Sequence, residues 1–267
     1  MVLELLLLKL IVAVGVVVGL TLITERISPK FAGIIAGLPT GSAISLFFIG
    51  MDNGTAFASS TAIYNIIGII AMQALLFFYY RSSITFRRHS LVFSAVLSVA
   101  GYFAVIFILK LLALPLWAAV LLPLLSIVFF TYLFRGIPNT RIEKRIDLSS
   151  GVLFERAIAA ALIILVVIEC ASFVGPEWAG LFTAFPTTTF PLILIIHYTY
   201  DVKHAHTIIK NFPSGLASLV AYSLTVFMAF PLIGIYYGTI AAFCSALVVC
   251  AAIYLFHSRK GSNMFAD

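Results

Sequence analysis

The sequence predicts an all-α polytopic membrane protein. It is expected to have nine transmembrane helices in an inverted-topology 4+1+4 repeat, with helices 2 and 7 broken by proline. Three observations carry this expectation. The 267-residue chain is 63% hydrophobic and only 10% charged, with a mean hydropathy of +1.16. Its Lys and Arg residues gather on one side of the expected membrane. A twelve-residue segment recurs 147 residues further along the chain.

Composition sets the solvent. A soluble domain carries charge on roughly a quarter of its residues, and this chain has far less. It cannot cover its surface with polar groups and needs lipid around it. A helix needs about 20 apolar residues to cross a bilayer. Nine segments meet that requirement: 3–24, 30–51, 56–80, 90–111, 114–134, 152–174, 177–199, 207–230 and 234–256. These runs are long and unalternating, unlike the dyad pattern of an outer-membrane barrel. The first carries Glu4 and Lys9 and is followed by no small-residue cleavage pattern, so it reads as a retained span rather than a signal peptide.

Charge gives the orientation. With nine spans, Arg26, Lys30, Arg81, Arg87, Arg88, Arg135, Arg141, Lys144, Arg145, Arg156, Lys203, Lys210, Arg259 and Lys260 fall on one side. Only Lys9 and Lys110 fall on the other. The positive-inside rule then puts the N-terminus outside and the C-terminus in the cytoplasm. A missed or invented span would scramble the separation. The net charge of +6 is explained by anionic lipid headgroups on the cytoplasmic face, and no nucleic-acid partner is needed. The expected location is the plasma (inner) membrane.

The repeat gives the architecture. Residues 29–40 read PKFAGIIAGLPT and residues 176–187 read PEWAGLFTAFPT, with five of twelve positions identical. The offset maps spans one to four onto spans six to nine and leaves span five as a linker. Five spans is an odd number, so the second half starts on the opposite side of the membrane. Residues 1–112 and 148–257 are expected to superpose about an axis in the membrane plane. The linker helix and cytoplasmic loop occupy 113–147, and a cytoplasmic tail occupies 258–267.

Pro39 and Pro186 each lie about ten residues into their span. At 1.5 Å per residue that is ~15 Å deep, near the midplane of a ~30 Å core. Proline removes a backbone donor and clashes with the preceding turn. Gly37, Gly41, Thr40, Ser42 and Ser45 surround the first break, and Thr187, Thr188 and Thr189 follow the second. Paired broken helices are the usual sequence pointer to a substrate site in a transporter. Proline kinks with hydroxyl partners are also common in membrane helices that bind nothing. Half-helix ends favour an anion or a cation according to which ends point inward.

Other polar groups lie in the spans. Glu169 sits in span six, where a carboxylate is costly unless paired, protonated or hydrated. Burial would make it a proton- or ion-coupling group, and pairing with Lys9 at similar depth or exposure to interfacial water are the alternatives. His197, near the cytoplasmic end of span seven with Asp201, Lys203, His204 and His206 beyond it, is a candidate proton relay or an interfacial polar rim. Asn65 and Gln73 in span three line a cavity or tie helices together. Cys170, Cys244 and Cys250 read as small buried hydrophobes. No metal-ligand spacing, cofactor motif or enzyme motif is present in the sequence.

Ala179-Gly180, Phe185-Pro186-Thr187 and Ile196-His197-Tyr198 form a pattern within 178–215. It resembles the GlpM-like group of small bacterial membrane proteins. The first half shares Ala32-Gly33 and Pro39-Thr40, with Gly50-Met51 in place of His-Tyr. Those relatives are about one half as long. The resemblance implies a fused pair of such units turned opposite ways and joined by span five. It carries no chemistry to any position here.

The sequence therefore implies a secondary transporter of a small molecule or ion working by alternating access, with proton coupling through Glu169 as an option. Pro39, Thr40, Gly41, Ser42, Asn65, Pro186, Thr187, Thr188 and Thr189 would form its substrate site. The alternatives are a non-transporting scaffold for envelope or lipid synthesis, or a channel. Membrane lipids are its expected surroundings, and a homo-oligomer is compatible with the pattern.

Overall fold

The computed structural model describes residues 11–12, 14–15, 38–86, 88–112, 114–140 and 150–262. Most of the first expected span, the segment 29–37 with Gly37, and Lys9 lie outside the described residues. All regular structure among the described residues is helical: α1 (Thr40–Asn53), α2 (Thr55–Thr85), α3 (Ser90–Leu111), α4 (Leu116–Phe134), α5 (Ser150–Thr183), α6 (Thr189–Thr199) and α7 (Val202–Ser262).

Among the described residues, four stretches are long and apolar enough to cross a membrane: Thr55–Thr85, Ser90–Leu111, Leu116–Phe134 and Val202–Ile253. Two of the long helices are not straight rods. Gly175 in α5 and Gly234 in α7 take φ of 77° and 78° with extended ψ, a conformation open to glycine at no steric cost. At Gly234 the chain folds back on itself. Thr225 Oγ1 reaches Ser245 Oγ at 2.9 Å, and the rings of Tyr222 and Phe243 meet at 5.1 Å. In a straight helix a twenty-residue separation spans about 30 Å, so α7 is a helical hairpin.

The central element is α2, which touches α1, α3, α4, α5 and α7. Its Ile66, Ile69, Leu75, Leu76 and Tyr79 are fully enclosed. Helix α3 inverts the soluble pattern. Its inner face carries Ser94, Ser98, Gly101 and Tyr102 together with Ile106 and Leu109, and its outer face exposes Val92, Val96, Phe103 and Phe107. Helix α4 likewise exposes Trp117, Val128 and Phe129. In water such a surface would far exceed the apolar patch a monomer tolerates. In lipid, where apolar burial gives no drive for helix association, small residues that allow close packing belong inside.

Polar contacts also tie segments together. Lys110 at the end of α3 pairs with Glu177. The Thr140 N–H donates to Thr207 Oγ1 at 2.9 Å, and Lys210 Nζ donates to the Ile137 carbonyl.

Candidate solute site

Both Pro-Thr segments form a turn ahead of a helix, and they do so in the same way. At the first, the Thr40 N–H donates to the Leu38 carbonyl at 2.8 Å and the Ala43 N–H to the Pro39 carbonyl at 2.7 Å. At the second, the Thr187 N–H donates to the Phe185 carbonyl at 2.7 Å and the Phe190 N–H to the Pro186 carbonyl at 2.8 Å. Each bond is the counterpart of the other at the 147-residue offset. The first bond of each pair closes a three-residue turn centred on proline, and Pro39 has φ −74° and ψ 40°, close to an inverse γ-turn. The second bond starts a helix. Neither α1 nor α6 has a side-chain cap at its start, and neither has an acidic residue in its first turn.

The two helix starts meet. Thr40 Oγ1 lies 3.1 Å from Thr188 Oγ1. Gly41 lies against Thr187, so closely that a Cβ on Gly41 would come within 2.2 Å of Thr187 Oγ1. Between them lies a partly open cavity of about 10 Å³, room for roughly one water-sized species. Thr40, Ser42, Thr187, Thr188 and Thr189 supply its hydroxyl groups, and no acidic or basic side chain lines it among the described residues. Met72 and Leu219 form part of its apolar wall. Ten of the twelve lining residues fall into five pairs at the 147-residue offset, from Leu38 with Phe185 to Met72 with Leu219. The cavity therefore sits where the two segments exchange roles.

Beneath it lies a buried network. Asn65 Nδ2 donates to Ser42 Oγ at 3.2 Å and to Thr183 Oγ1 at 2.8 Å. Asn65 Oδ1 accepts from Ser223 Oγ at 2.9 Å. Ser42 Oγ donates on to the Thr183 carbonyl at 2.8 Å, and Thr183 Oγ1 to the Gly180 carbonyl at 2.8 Å. This network joins α1, α2, α5 and α7. Gly180 permits it, because a Cβ there would come within 2.3 Å of the Thr61 carbonyl oxygen. Thr187 is the exception: it is only 4% exposed, and its Oγ1 has no hydrogen-bond partner among the described residues.

The sequence-expected residues divide three ways. Thr40, Gly41, Ser42, Pro186, Thr187, Thr188 and Thr189 line the cavity, and Pro39 shapes the turn beside it. Asn65 supports the cavity without lining it. Glu169 and His197 are elsewhere. Of the readings open for Glu169, the structure shows exposure: it is exposed, next to buried Ile168. His197 is half-buried between α2 and α3, with Nδ1 2.7 Å from the Tyr79 hydroxyl and Nε2 3.1 Å from Ser90 Oγ. The buried-cysteine reading is corrected, since Cys170 and Cys244 are exposed on the apolar surface. Sequence reasoning missed Thr183 and Ser223. Thr183 had a faint signal, being a hydroxyl where the first copy of the repeat has Ala36.

No family model, curated protein or solved structure matches the chain.

Proposed function

We propose that the protein is a secondary transporter that moves a small solute by alternating access. One observation carries this reading: two Pro-Thr turns, equivalent in sequence, meet at one polar cavity. Lipid-depth backbone that leaves the helix is tolerated where it lines a cavity, and paired broken helices at a repeat interface are how transporters build substrate sites. The five offset-related pairs of lining residues support a two-fold relation between residues 1–112 and 148–257. The separation of Lys and Arg supports an inverted 4+1+4 arrangement of nine spans in the inner membrane, with the N-terminus outside. The exposed position of Glu169 removes it from this site, so coupling through that residue is not part of the reading. A scaffold is favoured only by the small volume of the cavity. A polar cavity set in an apolar protein argues against it, because unfilled voids in packed proteins are normally apolar.

The test is accessibility. With all native cysteines replaced, Thr188→Cys should react with impermeant reagents from either face of a sealed vesicle, in separate populations of molecules. Reaction from one face only, under every condition, would exclude alternating access.

A further inference from the structure

We propose that His197 is a proton-operated latch. Its neutral ring ties α6 to α2 and α3, and protonation frees α6 and opens the cavity toward that end of the molecule; this deepens the transport reading and rests on it. Helices α1 and α6 start together at the cavity and end far apart. Gly50, late in α1, packs on Ala58 near the start of α2. His197, late in α6, reaches Tyr79 near the end of α2. The 21 residues of helix from Ala58 to Tyr79 span about 30 Å. Each helix therefore leads from the cavity to its own end of the molecule. The two ends are closed differently, although Gly50 and His197 are counterparts at the 147-residue offset. At Gly50 the closure is apolar: a Cβ there would meet Phe230, Ile235 and Ala58 at 3.2, 3.3 and 3.4 Å. At His197 it is polar.

That polar closure fits a neutral imidazole. His197 Nδ1 lies 2.7 Å from the Tyr79 hydroxyl and Nε2 lies 3.1 Å from Ser90 Oγ. A neutral ring has one donor and one acceptor, so one hydroxyl accepts from it and the other donates to it. Protonation makes both nitrogens donors. The hydroxyl that was donating then loses its acceptor, in a site closed by the fully buried Tyr79, where an unmade hydrogen bond is costly. His206 stands close by. Ser83 Oγ gives its proton to the Tyr80 carbonyl at 2.8 Å, so it accepts from His206 Nε2 at 2.7 Å. A charge on either histidine opposes a charge on the other. The other titratable groups around the pair are Tyr79 and Tyr80 of α2 and Asp201, between α6 and α7, which acts on both rings. His204 of α7 faces Tyr200, Lys203 is exposed, and so are Arg88 and His89 just before α3. A row of rings joins the latch to the cavity. Phe185 lines the cavity and meets Phe190 at 5.8 Å, Phe190 meets Tyr79 at 6.5 Å, and Tyr79 meets His197 at 5.9 Å. Release of His197 loosens the far end of a row whose near end is the cavity wall.

The experiment uses the full chain in detergent, with its native cysteines replaced and spin labels on exposed positions. Tyr198→Cys on α6 with Val92→Cys on α3 reads the latch, and Met51→Cys on α1 with Leu232→Cys on α7 reads the apolar end. The pH is lowered from about 8 to about 5, the range in which imidazole takes its proton. The expected result is a dipolar coupling that is lost in the first pair as pH falls and unchanged in the second. His197→Gln keeps a donor and an acceptor without the charge, and should hold the first coupling at every pH. Tyr79→Phe keeps the ring and deletes the hydroxyl, so its first pair should be weakly coupled already at the alkaline end. That variant decides the matter if His197→Gln does not fold. No change with pH, a wild-type transition in either variant, or an equal change in the second pair would overturn the latch. Labelling of Thr188→Cys in sealed vesicles separates this from the transport reading. A His197-dependent transition with Thr188→Cys open to one face only leaves the latch standing and overturns transport. Access from both faces with labels that do not move with pH does the reverse.

Discussion

The two breaks share a backbone and differ in side chains. Both use a proline-centred turn with the same pair of hydrogen bonds, to within 0.1 Å at each counterpart in the distances 2.8 and 2.7 Å, then 2.7 and 2.8 Å. After the turn the first copy reads Thr40-Gly41-Ser42 and the second Thr187-Thr188-Thr189. The only change of residue class is glycine for threonine, at 41 and 188. One copy thus contributes space and the other contributes hydroxyls. Two identical copies would pair their hydroxyls at both contacts. The asymmetry frees a donor.

The largest expected effect comes from removing that asymmetry. Gly41→Thr places a hydroxyl opposite Thr187 and forces a Cβ against Thr187 Oγ1. Overpacking of this kind costs about 1–3 kcal/mol, and solute uptake should fall to the protein-free background. The sharper test is the exchange. Gly41→Thr combined with Thr188→Gly moves the glycine to the other copy and should recover part of the uptake lost in Gly41→Thr alone. If the double variant is worse than either single change, the two positions are not interchangeable and the comparison fails.

Asn65 tests whether the first copy depends on the second through the network below the cavity. Asn65→Leu removes two donors and leaves Ser223 Oγ without its acceptor. The cost should be about 2 kcal/mol, visible as a lower melting temperature. A variant that melts like wild type would show that the Asn65 hydrogen bonds add nothing to the hold between α1, α5 and α7. A smaller loss is expected from Thr188→Val, which deletes one hydroxyl–hydroxyl bond at about 1 kcal/mol.

Much of this was legible in the chain. Helices α2, α3 and α4 start and end within a few residues of the apolar runs that predict them, because lipid-facing surfaces leave little sequence ambiguity. The meeting of the breaks was legible from the Pro-Thr repeat. What hydropathy cannot see is facing. Glu169 looked buried because its neighbours are apolar, yet in a membrane protein apolar residues point outward as readily as inward. Ile168 is enclosed while Glu169 and Cys170 are exposed. Partners distant in sequence were equally hidden. Nothing local joins His197 to Tyr79 and Ser90, or Thr183 to Asn65, and a hydroxyl within an apolar helix usually satisfies its own backbone.

The smallest effect concerns the outer ends of the two repeated segments, where the copies carry opposite charges. Lys30 of the first corresponds to Glu177 of the second, as expected if one segment begins inside and the other outside. Glu177 accepts from the Tyr64 hydroxyl at 3.0 Å and pairs with Lys110. The pair is partly open, with side-chain exposures of 29% for Lys110 and 39% for Glu177, so water and salt weaken it. Glu177→Gln keeps an acceptor for Tyr64 and deletes only the charge, and the loss should be about 0.5 kcal/mol or less. Salt identifies its origin. At about 1 M salt the screening length is ~3 Å, and the gap in melting temperature between wild type and Glu177→Gln should close. A gap that survives high salt would mean that the pair is shielded from water. The outer end of the second copy would then be as tightly packed as its break, and charge would be holding this segment rather than only marking its side of the membrane.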